Sequence, residues 1–390
     1  MTASTVDTER ASVAEPSQPL VPALRAAAVV LLFAGQAWLL RPFGDLEQWK
    51  PLSGLLRSGG LAVTVLLACS GFVVATWVLG STLTGSRAFR VALFRHFVPV
   101  AGVVALALAA VWLVALLDTS DPYGPEVTRA SFEQVVGFNW NHYIASHALA
   151  VRADLVGLWY FSVEAQTLPF VALAAALLRR RPRLLLAVAV LAVVAAEVTQ
   201  GVLASRHGWF ELSLWTATRG DAVVWGAAAA ALVHAVRSSD RADRAGVAAT
   251  ELAGAVVVLY VALVFAMAWA GPMAQFRGLG AATAAVTAVL LAAAALATGP
   301  GTILRVQEVS WLHDLGREWL VVVALTGPFL YTLSRNTATW SPGSRLVVGL
   351  LMFVTIVYVV DQLVVPALRG PFSRWEERLS GPRSPQRPQG

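Results

Sequence analysis

The sequence predicts an all-α fold, a polytopic membrane helix bundle with about ten transmembrane helices. Of its 390 residues, 57% are hydrophobic and only 13% are charged, whereas a soluble domain carries about a quarter of its residues as Asp, Glu, Lys or Arg. The mean hydropathy is +0.66. The apolar residues come in unbroken blocks of Ala, Val and Leu rather than in alternation, which argues for helices and against an outer-membrane barrel. Soluble enzyme folds, disordered scaffolds and collagen-like chains are excluded on the same grounds.

Stretches long enough to cross about 30 Å of hydrocarbon fall at about 22–41, 60–80, 96–117, 155–178 and 184–204. A second set follows at about 219–236, 247–270, 278–298, 317–334 and 345–367. Residues 1–20, rich in Ser, Thr, Glu and Pro, read as a disordered cytoplasmic tail rather than a signal peptide. Residues 370–390 read as a basic cytoplasmic tail, and 21–369 as one transmembrane domain. The segment 118–153 contains FEQVVGFNWNHYIASHALAV, whose pattern suggests an amphipathic helix or cap lying on the outer surface.

The formal charge of +6 is almost wholly arginine, Lys50 being the single lysine. In a polytopic chain basic residues are first read as topology markers and not as a nucleic-acid footprint, so no nucleic-acid partner is expected. Arginines cluster after the second, fourth and sixth spans and in the C-terminal tail, while 118–153 carries Asp118, Asp121, Glu126 and Glu133 against Arg129 and Arg152. Both termini are therefore expected in the cytoplasm of a multi-pass protein of the cell membrane, with membrane lipid as its surroundings. The first loop, with Arg41, Lys50 and Arg57, departs from that pattern.

Chemistry is sought where polar residues persist in hydrocarbon, because a charge at a helix centre costs about 2.5–3.5 kcal/mol on insertion scales. The fourth span contains LWYFSVEAQTLPF, which puts Ser162, Glu164, Gln166 and Thr167 within about a turn and a half. A helix-packing polar knot is the alternative reading. In the first span Arg25 and Gln36 stand eleven residues apart, hence on one face about 16 Å apart along the axis. With Arg90, Arg95 and Arg317, Arg25 falls at an inner span end, an arrangement suited to phosphates, because arginine binds phosphate oxygens bidentately. Topology alone also places arginines there. Arg219 and Asp221 are expected as a local pair at an outer end, and Glu197 and Asp361 as bundle-interior partners. The single Cys69 and six scattered histidines form no metal-ligand spacing, so no metal is expected.

Taken in order, the motifs resemble the membrane acyltransferase-3 family of ten-helix O-acyltransferases. ALRAAAVVLLFAGQAW is similar to its opening span, LAVTVLLACSGFVV to its second, and FRVALFRHFVPV to the Arg-rich segment that follows. GLWYFSVEAQ is close to the family's Leu-Trp-Ser-Leu-Ser-Val-Glu-Glu-Gln. TRGDAVVWGAAAAAL and WLHDLGREWLVVVALTGP resemble later segments, so the resemblance runs from about residue 21 to 369. It implies transfer of an acyl group from cytoplasmic acyl-CoA to a hydroxyl of a cell-envelope glycan, glycolipid or lipid-linked acceptor. Carried over, Arg25, Arg90, Arg95 and Arg317 hold the CoA phosphates; Glu164, Ser162 and Gln36 order the reacting groups; and Trp159, Gln166 and Arg219 face the acceptor.

The departures concern histidine. Where the family has its catalytic base the chain has Gln36; Gly157 and Thr326 stand at two further histidine positions, and Arg95 lies one residue off register with His96 in its place. Glutamine accepts no proton near neutrality, and losing a general base costs about 10²–10⁴ in rate. Glu164 is the in-bundle alternative base, with His142 of the outer loop behind it. Three functions stay open: an O-acyltransferase with a displaced base; an inactive acyltransferase-like protein binding or assembling with a protein partner in cell-envelope synthesis; and a transporter of lipid-linked sugars.

Overall fold

The computed structural model describes residues 20–40, 54, 56, 58–118, 121–148, 150–239, 242–270, 272–297 and 309–364. Apart from Leu20, the two expected tails lie outside the described residues, as do Arg41, Lys50 and Arg57. The described chain is helical throughout its ordered elements and contains no strand. Helices α1 (Val21–Leu40), α2 (Gly59–Gly80) and α3 (Gly85–Leu117) are followed by two short ones, α4 (Pro125–Val136) and α5 (Trp140–His147). A 3₁₀ turn, Ala153–Leu158, leads into α6 (Trp159–Leu178), then α7 (Pro182–Ala204), a short α8 (Trp209–Leu214), α9 (Thr216–Arg237) and α10 (Ala242–Trp269). The remainder is a 3₁₀ turn at Pro272–Arg277, α11 (Leu279–Leu296), a short α12 (Ser310–Arg317), α13 (Trp319–Asn336) and α14 (Pro342–Val359), which ends in a π turn.

The described part of each predicted apolar segment lies largely on one of the longer helices, with 155–178 beginning in the 3₁₀ turn and 317–334 at the end of α12. Six described segments are long and apolar enough to cross a membrane: Gly59–Gly80, Gly85–Leu117, Ala153–Leu178, Pro182–Ala204, Leu279–Leu296 and Gly343–Leu363. Val21–Ala37 and Ala255–Ala266 are shorter apolar stretches. Pro99, Pro169 and Pro328 sit inside α3, α6 and α13, as membrane bundles tolerate where neighbouring helices satisfy the freed carbonyls.

Burial sorts these helices into centre and rim. The apolar window of α2 is 83% buried, against 22% for Pro182–Ala204 and 17% for Gly343–Leu363. Helix α2 packs on α1, α6, α9 and α11. The rim helices turn Leu191, Val198, Val258, Leu351 and Val354 outward, an apolar exterior that suits acyl chains and not water.

Two glycine crossings let α2 occupy the centre. At one, Gly35 of α1 meets Gly59 of α2 so closely that a Cβ on Gly35 would stand 2.7 Å from the Gly59 Cα. At the other, a Cβ on Gly71 would enter the Val223 carbonyl and a Cβ on Gly226 the Ala68 carbonyl. Small residues at such crossings let helix backbones approach and gain dispersion contact where no hydrophobic drive between helices exists.

The expected amphipathic segment is present as two short helices: α4 exposes Glu126, Arg129 and Glu133, and α5 buries Trp140, Asn141 and Ile144 on one face while His142, Ser146 and His147 stay exposed on the other. Polar satisfaction permits that burial. Trp140 donates its indole N–H to the Leu155 carbonyl at 2.8 Å, and the Asn141 amide donates to the Leu214 carbonyl at 3.0 Å and to Thr216 Oγ1 at 2.9 Å.

The crossings generate a stability prediction. Gly226→Ala is expected to lower the melting temperature in detergent, at a cost of about 1–3 kcal/mol, because the obstacle is backbone and cannot rotate away. Gly201→Ala, whose Cβ meets open space in α7, is expected to gain about 0.5–1 kcal/mol. Equal melting temperatures for the two variants would remove the packing argument.

Candidate functional site

Several of the predicted residues gather in two polar clusters that meet on α6. The first surrounds Glu164, whose side chain is wholly buried. Tyr160, one turn earlier, donates its hydroxyl to Glu164 Oε1 at 2.5 Å, and Ser70 Oγ of α2 lies 3.3 Å from that hydroxyl. His96 Nε2, from α3, lies 3.2 Å from Glu164 Oε2. Both carboxylate oxygens are thus held by groups from different helices, as a buried carboxylate requires. Tyr160 also packs edge-on against Trp319, with ring centres 5.9 Å apart, and the Arg25 guanidinium lies over the same Trp319 ring at 4.7 Å. Ser162 is buried. Arg95 stacks over Trp77 at 4.8 Å, while Arg90 and Arg317 are exposed.

The second cluster is a cavity of about 190 Å³. Gln36, Trp159 and Arg219 line it together, and Arg25, Ser162 and Glu164 do not. Glycines shape it: Gly35, Gly59, Gly60, Gly157 and Gly327 all face the space. The Gln36 amide is pressed beside two of them, since a Cβ on Gly157 would come within 2.8 Å of Gln36 Nε2 and one on Gly327 within 3.7 Å of Gln36 Oε1. Positions 36 and 157, two of the three places where the resemblance expects histidine, therefore meet at this cavity together with Gly327; the third, Thr326, is buried beside it with its hydroxyl on the Val322 carbonyl and does not line the space.

Arg219 and Asp221 are both buried, yet no ion pair joins them among the described residues. Arg219 instead donates from Nε to the Ser213 carbonyl at 3.1 Å and from Nη1 to the Gly60 carbonyl at 3.3 Å. Its guanidinium lies between Trp159 and Phe276, at 5.5 and 5.3 Å from the ring centres. Gln166 belongs to neither cluster. It ties α5 to α6 by donating to the Phe138 carbonyl at 2.7 Å and to Asn141 Oδ1 at 3.1 Å, and it accepts from Thr216. Glu197 accepts from the Trp225 indole at 2.9 Å, and Asp361 is bonded by Gln362. Among the described residues no group of His, Cys, Asp and Glu is placed to hold a metal.

Sequence reasoning missed His96, Tyr160 and Ser70 as partners of Glu164, although His96 and Glu164 each lie on an expected span. It also read Arg152 only as a loop charge. Arg152 is 1% exposed, donates to Asp154 Oδ2 at 2.7 Å, Asp121 Oδ2 at 3.0 Å and Thr128 Oγ1 at 2.8 Å, and stacks over Tyr123. Burial works to lower its pKa, but the bonds and fields of Asp154 and Asp121 outweigh that and raise it above the usual arginine value. This clasp fixes the 3₁₀ turn that delivers Gly157 and Trp159 to the cavity.

No family model matches the chain, and no curated protein or solved structure does either.

The clasp is open to test. Asp154→Asn removes the closer carboxylate from a buried guanidinium and is expected to cost about 3 kcal/mol, read as a lower melting temperature. Arg129→Ala breaks an exposed pair to Glu133 and is expected to change nothing measurable. An Asp154→Asn protein as stable as the parent would argue against the clasp.

Proposed function

We propose that the chain is an integral membrane O-acyltransferase that takes acyl groups from acyl-CoA and passes them to a hydroxyl of a cell-envelope glycan, glycolipid or similar acceptor. The observation that carries this reading is the His96–Glu164 pair. A histidine with one ring nitrogen on a buried carboxylate is the arrangement that a general base needs, and it supplies what Gln36 lacks.

With Nε2–H donated to Glu164, His96 Nδ1 carries the free lone pair. In the proposed reaction Nδ1 takes the proton of the acceptor hydroxyl as its oxygen bonds to the thioester carbonyl carbon. The resulting oxyanion collapses, the carbon–sulfur bond breaks, and the leaving thiolate takes the proton from the imidazolium, giving ester and free CoA thiol. Glu164 stabilises the imidazolium, and Tyr160 keeps the carboxylate oriented. Arg25, its guanidinium over Trp319 in the same layer, and Arg95, next to His96 in sequence, are the proposed phosphate contacts, with Arg90 and Arg317 further out. Ten spans and two cytoplasmic termini, the topology argued from arginine placement, put this layer on the cytoplasmic side.

A second reading, an inactive relative that binds a ligand or partner, is favoured by one observation. The cavity at positions 36, 157 and 327 is lined by no Asp, Glu, His, Cys or Lys among the described residues, so nothing there accepts a proton near neutrality.

Measuring acyl-CoA binding and turnover on the full-length protein separates the two. Glu164→Gln and His96→Asn are expected to lower turnover about 10²–10⁴-fold with little change in acyl-CoA affinity. Arg25→Ala and Arg95→Ala are expected to weaken affinity first. If the parent binds no acyl-CoA, both the enzyme and its proposed donor site are wrong. Binding without turnover, followed by gain of turnover in Gln36→His, would establish the inactive relative.

A further inference from the structure

Arg219 has no carboxylate within ion-pair distance among the described residues; the charge of Asp221, two positions on, reaches it only across space. It is 4% exposed, and its bonded partners are two backbone carbonyls. Nη2 has no acceptor among the described residues. Two aromatic faces and the more distant charge of Asp221 offset part of the burial cost, but a guanidinium removed from water and bonded directly only to carbonyl dipoles still favours an oxyanion in contact with it.

The cavity that Arg219 lines is otherwise apolar, with Leu32, Val63, Val156 and Trp209 on its walls. Two amides and Ser213, whose hydroxyl donates to the Trp209 carbonyl, complete the polar set. Gln36 makes no hydrogen bond among the described residues, while Gln275 donates to the Gly60 carbonyl at 3.0 Å, the same oxygen that Arg219 holds, so the Gly60 carbonyl fixes both side chains at one edge. One permanent cation, two amides, one hydroxyl and apolar walls select a particular chemistry: an oxyanion attached to a compact apolar body. At about 190 Å³ the cavity lies below the roughly 300–1,000 Å³ of pockets that enclose a drug-sized ligand, so the bound portion is an anionic head with the first few carbons of its chain.

From this geometry we infer that the cavity between α1, α2, α9 and the Ala153–Leu158 turn is a binding site for an anionic amphiphile, whose phosphate or carboxylate pairs with Arg219 while its chain lies against Val63 and Val156. The site does not depend on acyl transfer. It is separate from the Glu164 cluster and contains no general base.

The test is binding of radiolabelled octyl phosphate to the full-length protein in phosphatidylcholine nanodiscs, with 1-octanol as the neutral control. Saturable octyl phosphate binding at least tenfold tighter than octanol is expected, and Arg219→Gln is expected to abolish that preference. Because loss of a buried arginine can unfold the chain, Val156→Trp serves as a second variant. It leaves Arg219 and its carbonyl bonds in place, fills the cavity, and is expected to reduce octyl phosphate binding at least tenfold with an unchanged melting temperature. Competition by phosphatidic acid doped into the nanodiscs supports the site and identifies a membrane lipid as its source; saturable binding without that competition supports the site and identifies a soluble acid. Equal affinity for octyl phosphate and octanol, or full binding in a folded Val156→Trp protein, overturns the inference.

Discussion

The bundle depends on two places where helix backbones touch. Helix α2 is apolar, carries no charge and is surrounded, and it reaches that position only because Gly35 and Gly59 on one flank and Gly71 and Gly226 on the other present no side chain at the crossings. In hydrocarbon the gain is close packing rather than release of water, so an added methyl removes contact on both sides of a crossing. The first of these crossings also opens the cavity. Side chains that would fill the gap between diverging helices are absent at 35, 59 and 60, and Gly157 and Gly327 extend the same space. Core packing and the binding site are one design consequence of glycine placement.

Polar groups inside the bundle follow a strict economy. Tyr160 and Glu164 lie one turn apart on α6, with His96 and Ser70 reaching them from α3 and α2. Trp159, one residue before Tyr160, turns to the other side and forms a cavity wall under Arg219. Successive helix positions diverge by about 100°, so a single segment feeds two separate sites without mixing their charges. The carboxylate has proton donors and the guanidinium has carbonyls and rings; neither is left to the low-dielectric interior alone.

Much of this was legible from the sequence because apolar run length is a strong signal: the described part of each expected segment is helical, and six of the described helical segments are long and apolar enough to cross a membrane. The burial of Glu164 inside the bundle was legible too, since a carboxylate in such a run is costly unless other helices satisfy it. Its partner was not. His96 is 68 positions away in the chain, and nothing in local spacing states that α3 and α6 lie side by side. Helical phase correctly put Arg25 and Gln36 on one face of α1, but about 16 Å of axial separation takes them to different neighbours, Trp319 for the first and Gly157 for the second. What the buried face of α5 bonds to was hidden for a different reason. Its polar residues Asn141 and Trp140 read as surface chemistry, whereas they hydrogen-bond to Leu214, Thr216 and Leu155, partners that only the tertiary fold supplies.

The same separation explains how Gln36 fits its surroundings. At the convergence of α1, α13 and the turn before α6 there is room for one side chain only, because Gly157 and Gly327 face it directly. A neutral amide there tolerates the nearby Arg219 without adding charge and leaves the guanidinium as the sole permanent charge among the described lining residues. An imidazole that accepted a proton at that position would place two cations in one apolar cavity, where like charges cost far more than in water. Gln36 and Arg219 are therefore compatible for an electrostatic reason: the amide adds no charge beside the guanidinium, and the His96–Glu164 pair stands apart on the other side of α6.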